Sequence, residues 1–462
     1  MEIEIILIKV LQLVLCLSLL VLLHEGGHFL FAKLFKVRVE KFCLFFDPWF
    51  TLFKFKPKKS DTTYCLGWLP LGGYVKISGM IDESMDTEQM KQPEQPWEFR
   101  SKPAWQRLLI MIGGVLVNFL LALFIYSMIL FTWGESYVPM QSMDKGMKFN
   151  QEAKHLGFQD GDILVSSDRG DFTRFDSNES IGDVYRDLSE AKSVVVQRDG
   201  KEVVIHMPGE MNMLDMIKKN PPFVTVLNPS IIDSVAPGTP AAKAGIKAGD
   251  QIVAFNGQTL DTWNDYNVQL GRIYEKLASA SAADSSRLRN VTVVISRKST
   301  AEKDTLHMTL SKEYLMGVIQ ANVMRNYQQV HVEYGFFESF PAGVHHGCEV
   351  LKGYVNDLKY LFTKDGAKSM GSFGTIGNMF PTTWDWSRFW ELTAFISIIL
   401  AFMNILPIPA LDGGHVFFLF YEIIARRKPS EKFLERAQLT GMSLLILLML
   451  WAVFNDVVKF LF

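Results

Sequence analysis

The sequence has few cysteines and no surplus of positive charge. Its four cysteines, Cys16, Cys43, Cys65 and Cys348, lie far apart and include no C-x-x-C pair. The spacing therefore indicates neither a disulfide framework nor a cysteine zinc site. The 462 residues carry a net charge of −2 and no polybasic tail, which argues against nucleic acid as a partner.

The features of a cleavable signal peptide are also missing. Glu2 and Glu4 stand where a basic segment would precede the first apolar run, and no small-residue cleavage site follows that run. We therefore expect this run to remain in the protein as a membrane span.

Long apolar runs are present four times. A membrane helix needs about 20 mostly apolar residues, and the stretches that reach or approach this length are about 5–31, 108–133, 390–410 and 439–460. Any one of them alone could be a buried core helix. Together they predict a multi-pass α-helical membrane protein with four transmembrane helices, divided between membrane cores at 1–134 and 389–462.

Lys and Arg are concentrated in two short connections, one between the first and second spans and one between the third and fourth. The distribution of these charges places both connections in the cytoplasm. Both termini and the long segment between the second and third spans are then expected on the outer side of the membrane.

That long segment reads as ordinary soluble sequence with a weak internal repeat. HLGFQDGDILVSSD at 155–168 aligns with KAGIKAGDQIVAFN at 243–256, and each predicts a helix closed by glycine, a tight turn and an alternating strand. One such match can be a chance turn, whereas two favour a duplicated domain. The second copy looks like a PDZ domain, so we predict PDZ-like α+β domains at 135–220 and 221–325. A connector with amphipathic, interfacial segments follows at 326–388.

A β-hairpin is predicted at about 62–80, between the first two spans. PLGGYVKISGM combines a proline–glycine turn with alternating strand residues, and TTYCLGWLP just before it is the candidate partner strand. The edge of such a hairpin is able to accept an extended peptide. The spacing alone favours a simpler interpretation, a cytoplasmic surface hairpin.

The first span contains H-E-x-x-H, formed by His24, Glu25 and His28. On a helix, the two histidines lie one turn apart on one face and can bind a single zinc ion, while the glutamate acts as general base on a water that zinc activates. Ionisable residues in a membrane span cost at least ~2–3 kcal/mol each and usually mark a function. Gly26 and Gly27 allow close approach of another helix or of a substrate backbone.

A catalytic zinc site needs a third protein ligand. Glu40 follows a basic stretch at the membrane edge and is a poor candidate. MNILPIPALDGGH at 403–415 ends the third span, and its prolines and glycines predict irregular backbone, which membranes tolerate only inside protein or beside a water-filled cavity. Asp412 lies in this segment. It is either a ligand or the cap of the next helix.

These motifs resemble the site-2 proteases, the M50 family of intramembrane zinc metalloproteases, and within it the bacterial RseP branch. The resemblance covers nearly the whole chain and includes N-x-x-P-x-P-x-L-D-G from Asn404 to Gly413. It implies that His24, His28 and Asp412 hold Zn²⁺. Glu25 would be the general base and later the proton donor, and Asn404 would hold the substrate backbone or the oxyanion.

The same resemblance implies a way of handling substrates. Gly72, Gly73 and Tyr74 would belong to a membrane re-entrant, membrane-associated β-hairpin that pairs with unwound substrate. The PDZ-like domains would screen substrates by the size of their external part. The protein is expected in the inner (cytoplasmic) membrane, with its active site toward the cytoplasm and with membrane lipids as partners.

The predicted function is that of a zinc-dependent intramembrane endopeptidase. Its expected substrate is a single-span membrane protein already trimmed by an upstream site-1-type protease, such as an anti-sigma factor or a signal-peptide-like segment. An inactive membrane-tethered PDZ scaffold is the rival, but such a scaffold is expected to have lost a ligand or the base. An ion-coupled metal transporter would need acidic or histidine residues in spans two and four, which offer only Asn118 and Asp456.

Overall fold

The computed structural model describes residues 2–70, 72–80, 92–175, 180–277, 281–300 and 302–461. The chain forms two compact units. The helical unit comprises Met1–Gly134 and Glu333–Phe462, and the central unit comprises Glu135–Val332.

The helical unit contains all of the helices long enough to cross a membrane among the described residues. Its helices are α1 (Glu2–Leu34), α2 (Ala104–Trp133), α9 (Phe336–Leu361), α10 (Lys364–Ser369), α11 (Phe373–Met379), α12 (Trp386–Ile405), α13 (Asp412–Ala425) and α14 (Glu431–Leu461). By length and apolar composition, α1, α2, α12 and α14 are candidate spans. The structure thus has a helix long and apolar enough to cross a membrane at each of the four predicted spans, and much of the apolar surface of α1 and α14 is exposed, as lipid contact would require.

The ends of two spans differ from the sequence prediction. The third span, α12, ends at Ile405 rather than near residue 410, because Pro407 and Pro409 cannot donate the backbone hydrogen bonds that a helix needs. The fourth, α14, begins at Glu431, eight residues before the predicted start. Its first two turns are polar, so hydropathy alone did not reveal them.

The second helix, α2, packs against α1, α9, α12 and α13. Glycine makes the closest of these approaches possible. A Cβ atom added to Gly27 on α1 would lie 2.3 Å from the carbonyl oxygen of Gly113 on α2, and one added to Gly113 would lie 2.8 Å from the carbonyl oxygen of Gly27. The two backbones are therefore in direct contact, as small residues allow in membranes.

A four-stranded sheet follows α1. Its strands are β1 (Val39–Leu44), β2 (Phe53–Phe55), β3 (Thr63–Leu66) and β4 (Tyr74–Ile77), in the order β2-β3-β1-β4. The predicted hairpin at 62–80 is wrong, because β1 lies between β3 and β4, parallel to the former and antiparallel to the latter. Leu71, in the predicted turn, lies outside the described residues.

The sheet also contains a disulfide that the sequence did not indicate. Cys43 of β1 and Cys65 of β3 occupy paired positions of the parallel ladder, with Cα atoms 4.6 Å apart, and are bonded to each other. The separation of 22 residues along the chain conceals this contact because it arises from strand pairing. The expectation of no disulfide is therefore corrected.

The central unit is a mixture of short helices and strands. Its helices are α3 (Gln151–Leu156), α4 (Ser180–Glu190), α5 (Met213–Lys218), α6 (Pro240–Lys243), α7 (Trp263–Leu277) and α8 (Ala282–Leu288). Its strands are β5 (Glu135–Pro139), β6 (Met147–Phe149), β7 (Ile163–Ser167), β8 (Gly170–Asp171), β9 (Arg174–Phe175), β10 (Ser193–Arg198), β11 (Lys201–His206), β12 (Val224–Val226), β13 (Ile232–Val235), β14 (Gln251–Phe255), β15 (Gln258–Thr259), β16 (Asn290–Ser296), β17 (Lys303–Thr309), β18 (Val318–Gln320) and β19 (Val330–Val332).

The repeat seen in the sequence corresponds to two sheets of equivalent strand order within the central unit. One sheet runs β11-β10-β7-β8 and the other β17-β16-β14-β15. The Gly-Asp of each repeat holds the same kind of ion pair, Asp162 with Arg198 at 2.7 Å and Asp250 with Arg297 at 3.0 Å. Both aspartates are buried, so each pair fixes the turn before a central strand.

Candidate metal centre

The centre begins with two histidines on one face of α1. His24 and His28 lie one turn apart, and their Nε2 atoms are 3.2 Å from each other. Gly114 of α2 makes room for both rings, because a Cβ atom at this position would lie 2.4 Å from His28 Nε2 and 2.7 Å from His24 Cε1. Close packing of α1 on α2 therefore depends on glycine where the imidazoles meet the second helix.

Asp412 is distant in sequence but lies beside the two histidines. It is the first residue of α13, and its Oδ2 atom lies 3.2 Å from His24 Nε2 and 3.3 Å from His28 Nε2. The N-cap position of α13 is occupied by Leu411, with no side-chain cap. The carboxylate of Asp412 is thus directed at the imidazoles instead of at the backbone of its own helix.

The three side chains fit a tetrahedral zinc ion. Ligand distances of about 2.0–2.1 Å place the ligand atoms of a tetrahedral zinc about 3.3 Å apart, and the three separations here are 3.2, 3.2 and 3.3 Å. Asp412 Oδ2 is buried and has no hydrogen-bond donor, an arrangement that is costly unless a cation satisfies it. His24, His28 and Asp412 are therefore able to hold the metal and leave a fourth position open.

Each histidine is oriented by a group on α2. His28 Nδ1 lies 2.8 Å from the carbonyl oxygen of Ile110, which accepts its proton and leaves Nε2 free to bind a metal. His24 Nδ1 lies 3.4 Å from the amide of Asn118. If His24 binds through Nε2, its proton is on Nδ1, and a half-turn of the amide brings the Asn118 oxygen to it. This half-turn also gives a partner to that oxygen, which is buried without one.

We expect Asn118→Leu to weaken zinc binding. Losing the group that orients a metal-binding histidine typically costs a factor of about 10–100 in metal affinity. The zinc dissociation constant, measured by competition with a chelator, is compared with that of Asn455→Leu, which makes the same exchange where the amide donates to the carbonyls of Ala367 and Met370. An unchanged constant in Asn118→Leu would show that Asn118 does not support His24.

A cavity of about 870 Å³ opens beside the side chains of His24, His28 and Asp412, within the helical unit. Glu25 lines this cavity, and the backbone N–H of Val75 on β4 donates a hydrogen bond to it. Asn404, in the last turn of α12, lines it as well. The structure thus brings the predicted base and the predicted substrate-binding amide to the same space as His24, His28 and Asp412.

The predicted pairing element borders the same cavity. Gly72, Gly73 and Tyr74 are lining residues, as are Val75 and the rest of β4. Since β4 ends the strand order of its sheet, one of its edges has no strand beside it among the described residues. The residues predicted to form a two-stranded hairpin therefore belong to a four-stranded sheet, and β4 is a strand at its edge.

Lys41 and Asp47 form a polar cluster with Tyr74 that the sequence did not reveal. Lys41 Nζ lies 2.9 Å from Asp47 Oδ2, and the Tyr74 hydroxyl donates to Asp47 Oδ1 at 2.8 Å. Burial alone would raise the pKa of Asp47, but hydrogen bonds from Lys41, Thr51 and Tyr74 outweigh it and hold this pKa below its usual value. Burial would lower the pKa of Lys41, and its bonds to Tyr74 and Asp47 raise it instead. The pair stays charged and fixes one wall of the cavity.

Asp47 also lies in a second group of potential ligands, with Cys43 and Cys65. The donors of this group are already engaged. The two sulfur atoms are bonded to each other, and Asp47 accepts hydrogen bonds from Lys41, Thr51 and Tyr74. The His-His-Asp group is therefore the better metal centre of the two.

Two further cavity residues, His415 on α13 and Gln438 on α14, were not foreseen. His415 belongs to the quoted motif at 403–415 but carried no assigned role. Gln438 precedes the predicted start of the fourth span by one residue, so the hydropathy boundary excluded it. The sequence signal for Gln438 is a polar residue directly before a long apolar run.

An H-E-x-x-H helix and a distant aspartate, gathered on one cavity among helices of membrane length, define the class of membrane-embedded zinc metalloproteases. The chain belongs to peptidase family M50, the site-2 protease family, whose family model matches residues 12–448. It is therefore a zinc-dependent protease, as the sequence predicted.

Relatives match over almost their full length. The chain is 27% identical over 457 residues to Protease RseP of Yersinia pestis, and 27% identical over 462 residues to Regulator of sigma-E protease RseP of Escherichia coli K12. Each of these alignments covers 96% of this chain and 97% of the relative. A protein of Vibrio cholerae, whose name places it among zinc metalloproteases, is 26% identical over 482 residues, with the same coverage.

Proposed function

We propose that this chain is an intramembrane endopeptidase that cuts a single-span membrane protein within or near its transmembrane segment. The observation that carries the proposal is the place of the centre. His24 and His28 lie inside a helix of membrane length, and Asp412 lies within 3.3 Å of both. Asn404, in the last turn of another such helix, lines the same cavity. The bond to be cut must therefore come to a site between membrane helices.

In this proposal, His24, His28 and Asp412 hold the zinc ion. When bound, zinc polarises the scissile carbonyl and lowers the pKa of water enough for attack at neutral pH. Glu25 takes the proton from the attacking water and later delivers it to the leaving amine. The Asn404 amide donates a hydrogen bond to the substrate backbone or to the oxygen that becomes negative during attack.

The outer edge of β4, which has no strand beside it in the part of the chain that the structure describes, supports a way to present the substrate. A transmembrane helix shields its peptide bonds with its own hydrogen bonds, so it must unwind before hydrolysis. An extended chain beside β4 would regain those hydrogen bonds from the strand edge. Glu25 lies next to this strand, because the backbone N–H of Val75 donates a hydrogen bond to it. The cluster of Lys41, Asp47 and Tyr74 would then border the bound segment.

The orientation proposed from charge places this sheet and the centre toward the cytoplasm of an inner-membrane protein, with both termini outside. The central unit would lie outside as two PDZ-like domains that screen substrates by their external size. Its two sheets of equivalent strand order and its matched Asp–Arg pairs support a duplicated domain. This arrangement requires an upstream site-1-type protease that trims the substrate first.

The relatives' names support the kind of substrate. Two of the relatives are named for regulation of sigma-E or as the protease RseP, which fits an anti-sigma factor as substrate; signal-peptide-like segments are the second kind proposed. The presence of Glu25 beside the three proposed ligands argues against the rival function, an inactive PDZ scaffold. Retaining the base has no purpose in a scaffold.

The proposal predicts that a pre-trimmed single-span protein is cut and its untrimmed form is not. Purified protein and test substrate are incorporated into vesicles, and the products are identified by mass spectrometry. We expect cleavage within or beside the apolar segment of the trimmed form and complete loss of cleavage when a chelator removes zinc. Equal cleavage of both forms would reject the trimming requirement, and a zinc-loaded protein that cuts neither would favour the scaffold.

A further inference from the structure

Gln438 lies in the second turn of α14, next to the metal centre. It is 4% exposed, and it lines the cavity together with Asn404 and Asp412. Its Oε1 atom accepts a hydrogen bond from the backbone N–H of Ala410 at a distance of 3.1 Å. A buried glutamine on a membrane helix thus contacts the segment that leads into Asp412, two residues before the carboxylate.

The segment from Leu406 to Leu411 has few ways to hold its shape. Pro407 and Pro409 have no N–H to donate. The N–H of Ile408 bonds to Leu406, and that of Leu411 bonds to Ile408, both within the segment. The bond from Ala410 therefore joins the segment to a different membrane helix, α14.

Ala410 also has an unfavourable backbone conformation, which needs support from its surroundings. Its φ of 79° lies in the left-handed region, where the side chain of an L-residue crowds its own backbone and where glycine fits freely. Such conformations persist only where neighbouring groups hold them. The Gln438 oxygen, bonded to the N–H of this same residue, is one such neighbouring group.

A second contact fixes the segment against α14 one helical turn away. A Cβ atom added to Gly441 would lie 1.8 Å from the carbonyl oxygen of Pro409, so the helix backbone abuts the segment directly. Gln438 and Gly441 lie three residues apart on one face of α14. Gln438 contacts Ala410 and Gly441 contacts Pro409, so the two residues together hold the segment against α14.

We infer that Gln438 is a positioning residue for the metal centre, which holds the Ala410 backbone so that Asp412 Oδ2 stays within reach of both imidazoles. The inference rests on the proposed ligand set of His24, His28 and Asp412. It assigns α14 a role in the centre although none of the proposed ligands lies on that helix. Without the Gln438 oxygen, the segment relaxes and Asp412 spends less time at the metal.

The test measures how fast zinc leaves the detergent-purified, zinc-loaded protein when a colorimetric chelator is added in excess. Gln438→Met keeps the length of the side chain and removes the oxygen; Gln438→Asn keeps the amide but shortens its reach. Both variants are expected to release zinc about 10–100-fold faster, the range typical for losing a group that supports a ligand. Gln438→Glu keeps an acceptor at the same reach and is expected to release zinc at nearly the wild-type rate.

Ser443→Ala is the matched control, because the Ser443 hydroxyl donates to Leu439 within α14 and this change is expected to leave zinc release unaltered. Thermal unfolding of the zinc-free variants separates positioning from general support, since a purely structural Gln438 would lower that Tm without changing zinc release.

Wild-type release rates in either Gln438→Met or Gln438→Asn would overturn the inference, as would fast release in Gln438→Glu. If one of the two variants does not fold, the other decides. A wild-type protein that binds no zinc would instead refute the proposed ligand set, so the two failures are distinguishable.

Discussion

Glu25→Gln is expected to abolish proteolysis while zinc remains bound. Glutamine keeps the size of the side chain but cannot take a proton from water, and general base catalysis contributes a factor of about 10²–10⁴. We expect kcat to fall by at least about 10³, because Glu25 is proposed to act twice, in attack and in departure of the amine. The rate of substrate cleavage in vesicles and the zinc content of the same preparation are measured together.

Glu40→Gln provides the matched control. Glu40 is also an acidic residue near the end of the first span, but its carboxylate accepts a hydrogen bond from Ser78 at 2.9 Å and lies 3.6 Å from Lys76 Nζ. The same exchange there is expected to leave cleavage near the wild-type rate. A zinc-loaded Glu25→Gln protein that retained a tenth or more of wild-type activity would remove Glu25 from the role of base.

The parts of the site that the sequence predicted depend on short-range geometry. His24 and His28 are one helical turn apart, so a helix places them together whatever the rest of the fold does. Asp412 was harder to predict, because a ligand and a helix cap are equally compatible with its position after two prolines. Irregular backbone near membrane depth, which is rare without a purpose, made it a candidate, and the resemblance to the site-2 proteases favoured the ligand over the cap.

The errors about the sheet concern contacts between distant strands. The pattern of residues 62–80 predicts strands but does not show which strands are neighbours, since the partner of Tyr74 is Cys43, and β1 lies before both halves of the expected hairpin. The Cys43–Cys65 bond was hidden for the same reason. Strand register is decided by packing across the sheet and by turn geometry, neither of which the spacing of two cysteines reveals.

The repeat in the central unit could be predicted from the sequence, but its ion pairs could not. Gly161-Asp162 and Gly249-Asp250 are visible as a recurring pair, because a turn followed by a strand has a local signature. Their partners, Arg198 and Arg297, lie 36 and 47 residues further along the chain. Only the folded unit shows that the recurring aspartates are buried ion-pair residues.

Gln438 and Asn118 were missed as functional residues because each acts through another group. Neither belongs to a motif that specifies zinc chemistry, and each is a single amide in or beside an apolar run. Their positions acquire meaning only when α2 and α14 pack against the helix and the segment that carry the ligands. Such supporting residues depend on tertiary contacts, and for this reason a sequence motif recovers the ligands before their supports.

Asp412→Asn is expected to remove zinc from the protein without unfolding it. Replacing the carboxylate by a neutral amide takes away the negative ligand, and the loss in zinc affinity should exceed about 100-fold, the upper end of what supporting residues contribute. Zinc content after dialysis and the dissociation constant from chelator competition measure this effect. Cleavage is expected to fall with zinc occupancy, since Asp412 serves the reaction through the metal in this proposal.

The same exchange separates the two interpretations of Asp412, because asparagine caps helices about as well as aspartate. If Asp412 were a cap, Asp412→Asn would leave both zinc content and Tm nearly unchanged. Asp456→Asn is the control: Asp456 is a buried aspartate on α14 whose carboxylate accepts hydrogen bonds from Ser372 and Thr375, away from the cavity. It is expected to lower Tm and keep zinc, the reverse of the result expected for a ligand.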